Sequence, residues 1–183
     1  MRAHSTGLRL GAALALGMLF GVPAVNAAPP DNCLGFQTND QRGTDGPDYL
    51  SGSGVRDVAA LGDGSDSYFA GDGNDVVCGN ELADTLGGEA GPDALAGGDG
   101  DDLLDGQAGT DDVWAGAGAD HIEGGSGADT LRAGNDGDRD EIWDGLGSDV
   151  IIGGPDDIWH RCGDDVTDDK SGFDGSIVQD PNC

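Results

Sequence analysis

Positive charge is what this sequence has least of. Its 183 residues include 8 Lys and Arg against 36 Asp and Glu, a formal net charge of −28. Such a chain repels phosphate backbones and anionic bilayers, so nucleic acid and acidic membrane surfaces are excluded as partners. Histidine is scarce too: beyond His4 there are only His121 and His160, and neither stands in a recognisable catalytic spacing. General acid–base and nucleophilic chemistry therefore have no visible machinery, and the chain reads as non-enzymatic. Aromatic residues make up 5% of the chain, too few to fill a conventional core. The four cysteines include no Cys-x-x-Cys pair, which removes the usual zinc sites. Only the N-terminus carries a long hydrophobic run.

That run, residues 10–25, follows Arg2 and Arg9 and is interrupted by Gly17, Gly21 and Pro23, so it falls short of a bilayer span of about 20 residues. Val25, Asn26 and Ala27 put small residues where a signal peptidase reads. Residues 1–27 are therefore expected to be a Sec-type signal cleaved after Ala27, delivering a protein that is secreted, with the cell surface or periplasm as further destinations. Cys33 follows Pro30, Asp31 and Asn32, not the small apolar residues of a lipid-modified cysteine, so no membrane insertion is expected after cleavage. Loss of Arg2 and Arg9 leaves 6 basic residues against 36 acidic ones, a charge of −30. A chain so charged either stays disordered or recruits cations before it compacts. Four cysteines in an oxidising compartment suggest two disulfides, for which three connectivities exist. The order of the cysteines along the chain favours Cys33 with Cys78 and Cys162 with Cys183.

The arrangement of the residues decides against disorder. An aspartate recurs every nine residues at Asp48, Asp57, Asp66, Asp75, Asp84, Asp93, Asp102, Asp111, Asp120 and Asp129. Glycine stands two residues earlier in eight of the ten, with Val55 and Leu82 the exceptions. Two residues later runs an apolar row: Leu50, Ala59, Tyr68, Val77, Leu86, Leu95, Leu104, Val113, Ile122 and Leu131. The glycine permits the positive φ of a tight turn. The residues after the aspartate form a short strand whose central side chain points one way and whose neighbours point the other. One repeat cannot bury its apolar residue alone, but stacked coils share a thin continuous core, which predicts an all-β solenoid.

The segments 97–105, Gly-Gly-Asp-Gly-Asp-Asp-Leu-Leu-Asp, and 124–132, Gly-Gly-Ser-Gly-Ala-Asp-Thr-Leu-Arg, resemble the RTX, or haemolysin-type, calcium-binding nonapeptide, whose consensus is GGxGxDxUx. The resemblance covers residues 43–132 without a slip and extends to about Trp159. It implies a right-handed parallel β-roll with two repeats per coil, and Ca²⁺ held in the turns between repeats n and n+2. Aspartates two repeats apart then share an ion. Turn glycines in both partners favour the pairs Asp48–Asp66, Asp75–Asp93, Asp93–Asp111, Asp102–Asp120 and Asp111–Asp129, hence about five or more ions. Asp57 and Asp84 are the least certain ligands. A metal-free alternative, in which the aspartates only make turn hydrogen bonds, must explain how some thirty like charges stay stacked at about 4.8 Å without counterions.

After Arg132 the frame breaks. Two extra residues precede Glu141, which makes Asp140 the ligand choice there. Asp149 takes that place in the next unit, and the frame shortens again before Trp159. Asp136, Asp138 and Asp140 look like an EF-hand start, but Glu141 and Gly147 replace its required glycine and bidentate glutamate, so that loop is rejected. The expected organisation is thus signal 1–27, lead-in 28–42, β-roll 43–159 and an irregular, disulfide-closed cap 160–183. Trp114, Trp143 and Trp159 are each expected one residue beyond the apolar row, facing outward. Trp143 and Trp159 could then stack as a platform, so an adhesion or matrix-interaction module holding carbohydrate or protein is the alternative to calcium binding alone. RTX-type proteins commonly leave the cell through a type I system that reads a C-terminal signal, a route at odds with this N-terminal one.

Overall fold

The computed structural model describes residues 40–162 and 169–180. The expected signal, most of the lead-in, Cys33 and Cys183 lie outside the described residues. Every described element is a strand.

Two parallel sheets of eight strands face each other. The first is made of Asp40–Arg42, Val58–Asp63, Val76–Glu81, Ala94–Asp99, Asp112–Ala117, Thr130–Arg132, Val150–Gly153 and Asp169–Phe173. The second is made of Tyr49–Ser53, Ser67–Gly71, Thr85–Gly87, Leu103–Asp105, His121–Glu123, Glu141–Trp143, Ile158–Cys162 and Ser176–Asp180. The chain alternates between them, so each nonapeptide contributes one strand and one turn, and two make a coil. Val58 pairs with Val76, Val76 with Ala94 and Ala94 with Asp112, a register of two nonapeptides. A small third sheet of very short strands lines one row of turns.

Because side chains alternate along a strand, the central residue of each triplet points between the sheets. Tyr68, Leu86, Leu104, Ile122 and Ile142 from one sheet meet Ala59, Val77, Leu95, Val113, Leu131 and Ile151 from the other, and all are fully or almost fully buried. A second inward position, two residues further on, holds Leu61, Ala70, Ala115 and Ala133, and glycine in most other repeats. Apart from Leu61, this second row is filled by small residues, and the turn aspartate crowds it. A Cβ on Gly88 would lie 2.8 Å from Asp93 Oδ2, and one on Gly106 would lie 2.7 Å from Asp111 Oδ2.

The frame breaks change register without ending the solenoid. Thr130 pairs with Val150 and His121 with Glu141, a step longer than two nonapeptides, after which Glu141 pairs with Ile158 in a step shorter than two. That short step corrects the placement of Trp159. It aligns with Ile142 and lies in the core at 1% exposure, while Ile158 takes the outward place. An indole fits there because Asp144, on the second inward position, accepts a hydrogen bond from Trp159 Nε1 at 3.0 Å and others from the Cys162 and Gly145 amides, both at 2.8 Å. Phe173 packs edge-on against it at 5.7 Å. The platform of Trp143 and Trp159 is therefore not formed. Trp143 instead stacks between His121 and His160, with ring centroids 4.2 Å apart on each side. Trp114 does lie on the outer side of the first sheet, where the Arg132 guanidinium covers it at 4.7 Å and pairs with Asp112.

Strands also continue beyond His160: Ile158–Cys162 pairs in register with Ser176–Asp180, and Val150–Gly153 with Asp169–Phe173. The stretch expected as an irregular cap thus contains a further coil. Among the described residues no disulfide joins two cysteines. Cys78 and Cys162 are buried and neither is a free thiol; their expected partners lie outside the described residues.

Glycine is needed where coils press together. Gly91 has φ 123°, and a Cβ there would run into the Gly73 carbonyl oxygen of the neighbouring coil. Leu82 stands in the equivalent place with φ 72° and a side chain 59% exposed. A left-handed conformation costs a non-glycine residue about 1–2 kcal/mol, and this leucine recovers little by burial. Leu82→Gly is expected to raise stability by about 0.5–1 kcal/mol, allowing for the entropy glycine loses on folding, measured as the urea midpoint of the intact protein.

Candidate metal-binding turns

Each turn delivers its aspartate to the same place. The sequence Gly-x-Asp brings the chain through a tight turn, and the following strand pulls its own hydrophobic residue into the core, which draws the aspartate beneath the turn. From Asp57 to Asp157 these residues are at most 6% exposed. One carboxylate oxygen is spent on the fold: the Asp48 amide donates to Asp66 Oδ1, Asp66 to Asp84, Asp84 to Asp102, Asp102 to Asp120 and Asp120 to Asp140, at 2.7–2.9 Å. On the other turns the row runs from Asp57 through Asp75, Asp93, Asp111 and Asp129 to Asp149, at 2.6–2.9 Å. Two aspartate rows therefore climb the solenoid, each rung tied to the next coil.

The second oxygen is another matter. Oδ2 of Asp66, Asp75, Asp84, Asp93, Asp102, Asp111, Asp120 and Asp129 is buried and has no hydrogen-bond donor in the protein. Leaving one buried acceptor unpaired costs about 1–3 kcal/mol, and more when it is charged. Burial accordingly pushes several of them up: Asp84, Asp93 and Asp120 to about 6, Asp102 and Asp111 to about 7. In every case desolvation is the main cause. The amide of the preceding aspartate in the row opposes it, and repulsion from acidic neighbours adds to it. Asp140 rises to about 8, again chiefly by burial, with Asp157 and Asp120 repelling it.

All five aspartate pairs favoured by glycine placement are directly hydrogen-bonded pairs. The rows also contain residues that the turn-glycine criterion set aside or missed. Asp57 and Asp84 are full members despite Val55 and Leu82, and at Leu82 the backbone adopts the glycine-like conformation. Asp157 joins as the acceptor from the Asp140 amide at 3.2 Å; the signal was its spacing two residues before Trp159, legible only once the tryptophan is allowed inside. Asp136 is consumed by turn hydrogen bonds from the Gly118 and Asp138 amides. Among the described residues no three His, Cys, Asp or Glu side chains converge. A cation in these turns would thus be held by one or two carboxylates together with backbone carbonyls, an oxygen-only set that suits a hard cation such as Ca²⁺ and offers nothing to a soft one. The carbonyls are close: the ideal Cβ of Gly88 that nearly touches Asp93 Oδ2 also lies 2.9 Å from the Gly106 carbonyl oxygen.

Stacked parallel sheets with acidic turns on both edges define a β-roll of nonapeptide repeats. The family model of the RTX calcium-binding nonapeptide repeat matches residues 42–77, 79–113 and 105–140, more than half of the chain, and the protein belongs to that family. No curated protein and no solved structure matches it.

A carboxyl whose folded pKa is raised stabilises the fold below its unfolded value, about 3.9, and that contribution is lost as pH climbs through the folded value. Without metal, the roll is therefore expected to hold its β signal near pH 5 and lose it between about pH 6 and 8, the range to which Asp84, Asp93, Asp120, Asp102, Asp111 and Asp140 are pushed. Far-UV circular dichroism of the chelated protein across this range checks the expectation.

Proposed function

We propose that this protein is a secreted calcium-binding module whose folding is coupled to Ca²⁺. The observation that carries the reading is the set of eight buried carboxylate oxygens without protein donors, repeated at the coil spacing in two rows. At the calcium levels and pH outside a cell, each needs a proton or a cation, and divalent cations supply the charge that stacked aspartates lack. The residues expected to hold the ions are Asp66, Asp75, Asp84, Asp93, Asp102, Asp111, Asp120 and Asp129, with Asp140 and Asp149 further along the rows. Binding then contributes directly to folding, because the unfolded chain has no preformed site.

Titrating Ca²⁺ into the metal-stripped protein at pH 7.5 is expected to give a cooperative rise in β signal that Mg²⁺ does not reproduce. Asp102→Asn keeps the oxygen that receives the Asp84 amide and removes the charge. It is expected to stabilise the chelated protein by about 1–3 kcal/mol and to shrink the gain from calcium. A stripped protein already fully β at pH 7.5, indifferent to calcium, would defeat the proposal.

The finer assignments rest on sequence. The signal-like residues 1–27 support export. The oxidising destination and the buried, non-free Cys78 and Cys162 support two disulfides, to Cys33 and Cys183. Intact mass and non-reducing peptide maps are expected to show a chain beginning at Ala28 and lighter by four hydrogens. Adhesion to carbohydrate or protein is the second reading. It has lost the paired tryptophans and now leans on Trp143 between two histidines, so calcium binding is preferred.

A further inference from the structure

The aspartates at the N-terminal end of the two rows differ from those behind them. Asp48 Oδ2 accepts hydrogen bonds from the Thr44 amide at 2.6 Å and the Thr44 hydroxyl at 3.0 Å. Asp57 Oδ2 accepts them from the Ser53 amide at 2.6 Å and the Ser53 hydroxyl at 2.9 Å. Thr44 and Ser53 stand four residues before their aspartates. In the next eight repeats that place is taken by Asn80, Glu89, Gln107 and five glycines, all with φ between 68° and 127°. Neither Thr44 nor Ser53 has positive φ, so their amides point at the carboxylate, whereas the eight aspartates that follow have Oδ2 unpartnered. The far end is closed in a similar way: Asp157 Oδ2 accepts the Gly154 amide at 2.5 Å.

From this contrast we infer that Thr44 and Ser53 stand in for cations. They make the first coil a metal-independent end cap, and calcium occupancy begins at the turns of Asp66 and Asp75. The inference rests on the calcium reading and refines it. An ion held in a turn needs a carboxylate oxygen that no amide has already claimed, and at Asp48 and Asp57 the local amide has claimed it. Two donors from one residue satisfy there what a shared ion satisfies elsewhere. The left-handed residues of the interior are the complement: they turn the local amide away and leave the carboxylate oxygen for the metal. Asn80, Glu89 and Gln107 accept positive φ at this place although they are not glycine.

Equilibrium dialysis with metal counting, and amide hydrogen exchange at saturating calcium, on the full wild-type protein and Thr44→Gly/Ser53→Gly decide the matter. The double variant is expected to bind about one to two more ions per chain, to need more calcium to fold, and to show first-coil amides that become calcium-dependent. Thr44→Val/Ser53→Ala, which keeps both amides and removes both hydroxyls, is expected to fold and to show a smaller shift in the same direction. If wild type binds calcium but the glycine variant binds the same number of ions and keeps wild-type calcium dependence in the first coil, the cap is refuted and the calcium reading stands. If wild type binds no ion at all, both fall. A glycine variant that fails to fold even in calcium, while the Val/Ala variant matches wild type in ion count and midpoint, also refutes it.

Discussion

Carboxylates packed one above another at the separation of neighbouring strands are the constraint that shapes this molecule. A parallel solenoid must repeat its turn every coil, and a turn that places aspartate under the backbone therefore repeats the charge as well. Half of each carboxylate is neutralised by geometry, since its Oδ1 receives the amide of the aspartate one coil earlier. The other half is not. Everything distinctive in the sequence follows from living with that second oxygen: glycine where a Cβ would touch it, left-handed residues that withdraw competing amides, and hydroxyls where the row has to end.

The core is in turn subordinate to the turns. Its width is set by one large and one small inward position per repeat, and the small position is small because Asp Oδ2 lies against it. Leu61 is an exception within the regular repeats, and others occur where the frame is irregular. At the C-terminal end Trp159 fills the interior and Asp144 replaces glycine, tied to the indole and two amides. That local polar network lets the solenoid follow a lengthened coil with a shortened one without losing strand alignment. Burial and charge are thus exchanged for each other along the roll: where coils are regular, the aspartates face the turns, and where the frame slips, an aspartate anchors an aromatic inside.

Such a design links folding to conditions. Raised acid pKa values, caused mainly by desolvation, mean that the buried carboxyls favour holding a proton, and on the proposed reading a cation takes the proton's place. The membership of the RTX repeat family is consistent with the cation. On the proposed reading, low calcium favours a loose chain and high calcium a compact one.

The nine-residue period, the apolar row and the turn aspartates were legible in the sequence because each repeats at a spacing that only a stacked strand-and-turn unit satisfies. Leu86, Leu104 and Ile122 could be placed inside from periodicity alone, and the aspartate pairs two repeats apart could be named once the two-repeat coil was expected. Where the period fails, so does the reading. Asp156 and Asp157 offer two frames, one of which faces Trp159 outward, and only the shortened register, with Asp144 accepting from the indole nitrogen, selects the other. Asp57 and Asp84 are the least certain ligands because their turns lack glycine; both nonetheless join the hydrogen-bonded rows, and Leu82 adopts the glycine-like conformation. The tail beyond His160 carries no nonapeptide, but the open edges of two sheets recruit it as another coil. The different states of Asp48 and Asp66, identical in sequence role, arise from which way one peptide bond faces. Sequence determined the unit and its repetition, since those depend on residue type at fixed spacing. Tertiary structure decided which oxygen is left without a partner, because that depends on the coil above and the coil below.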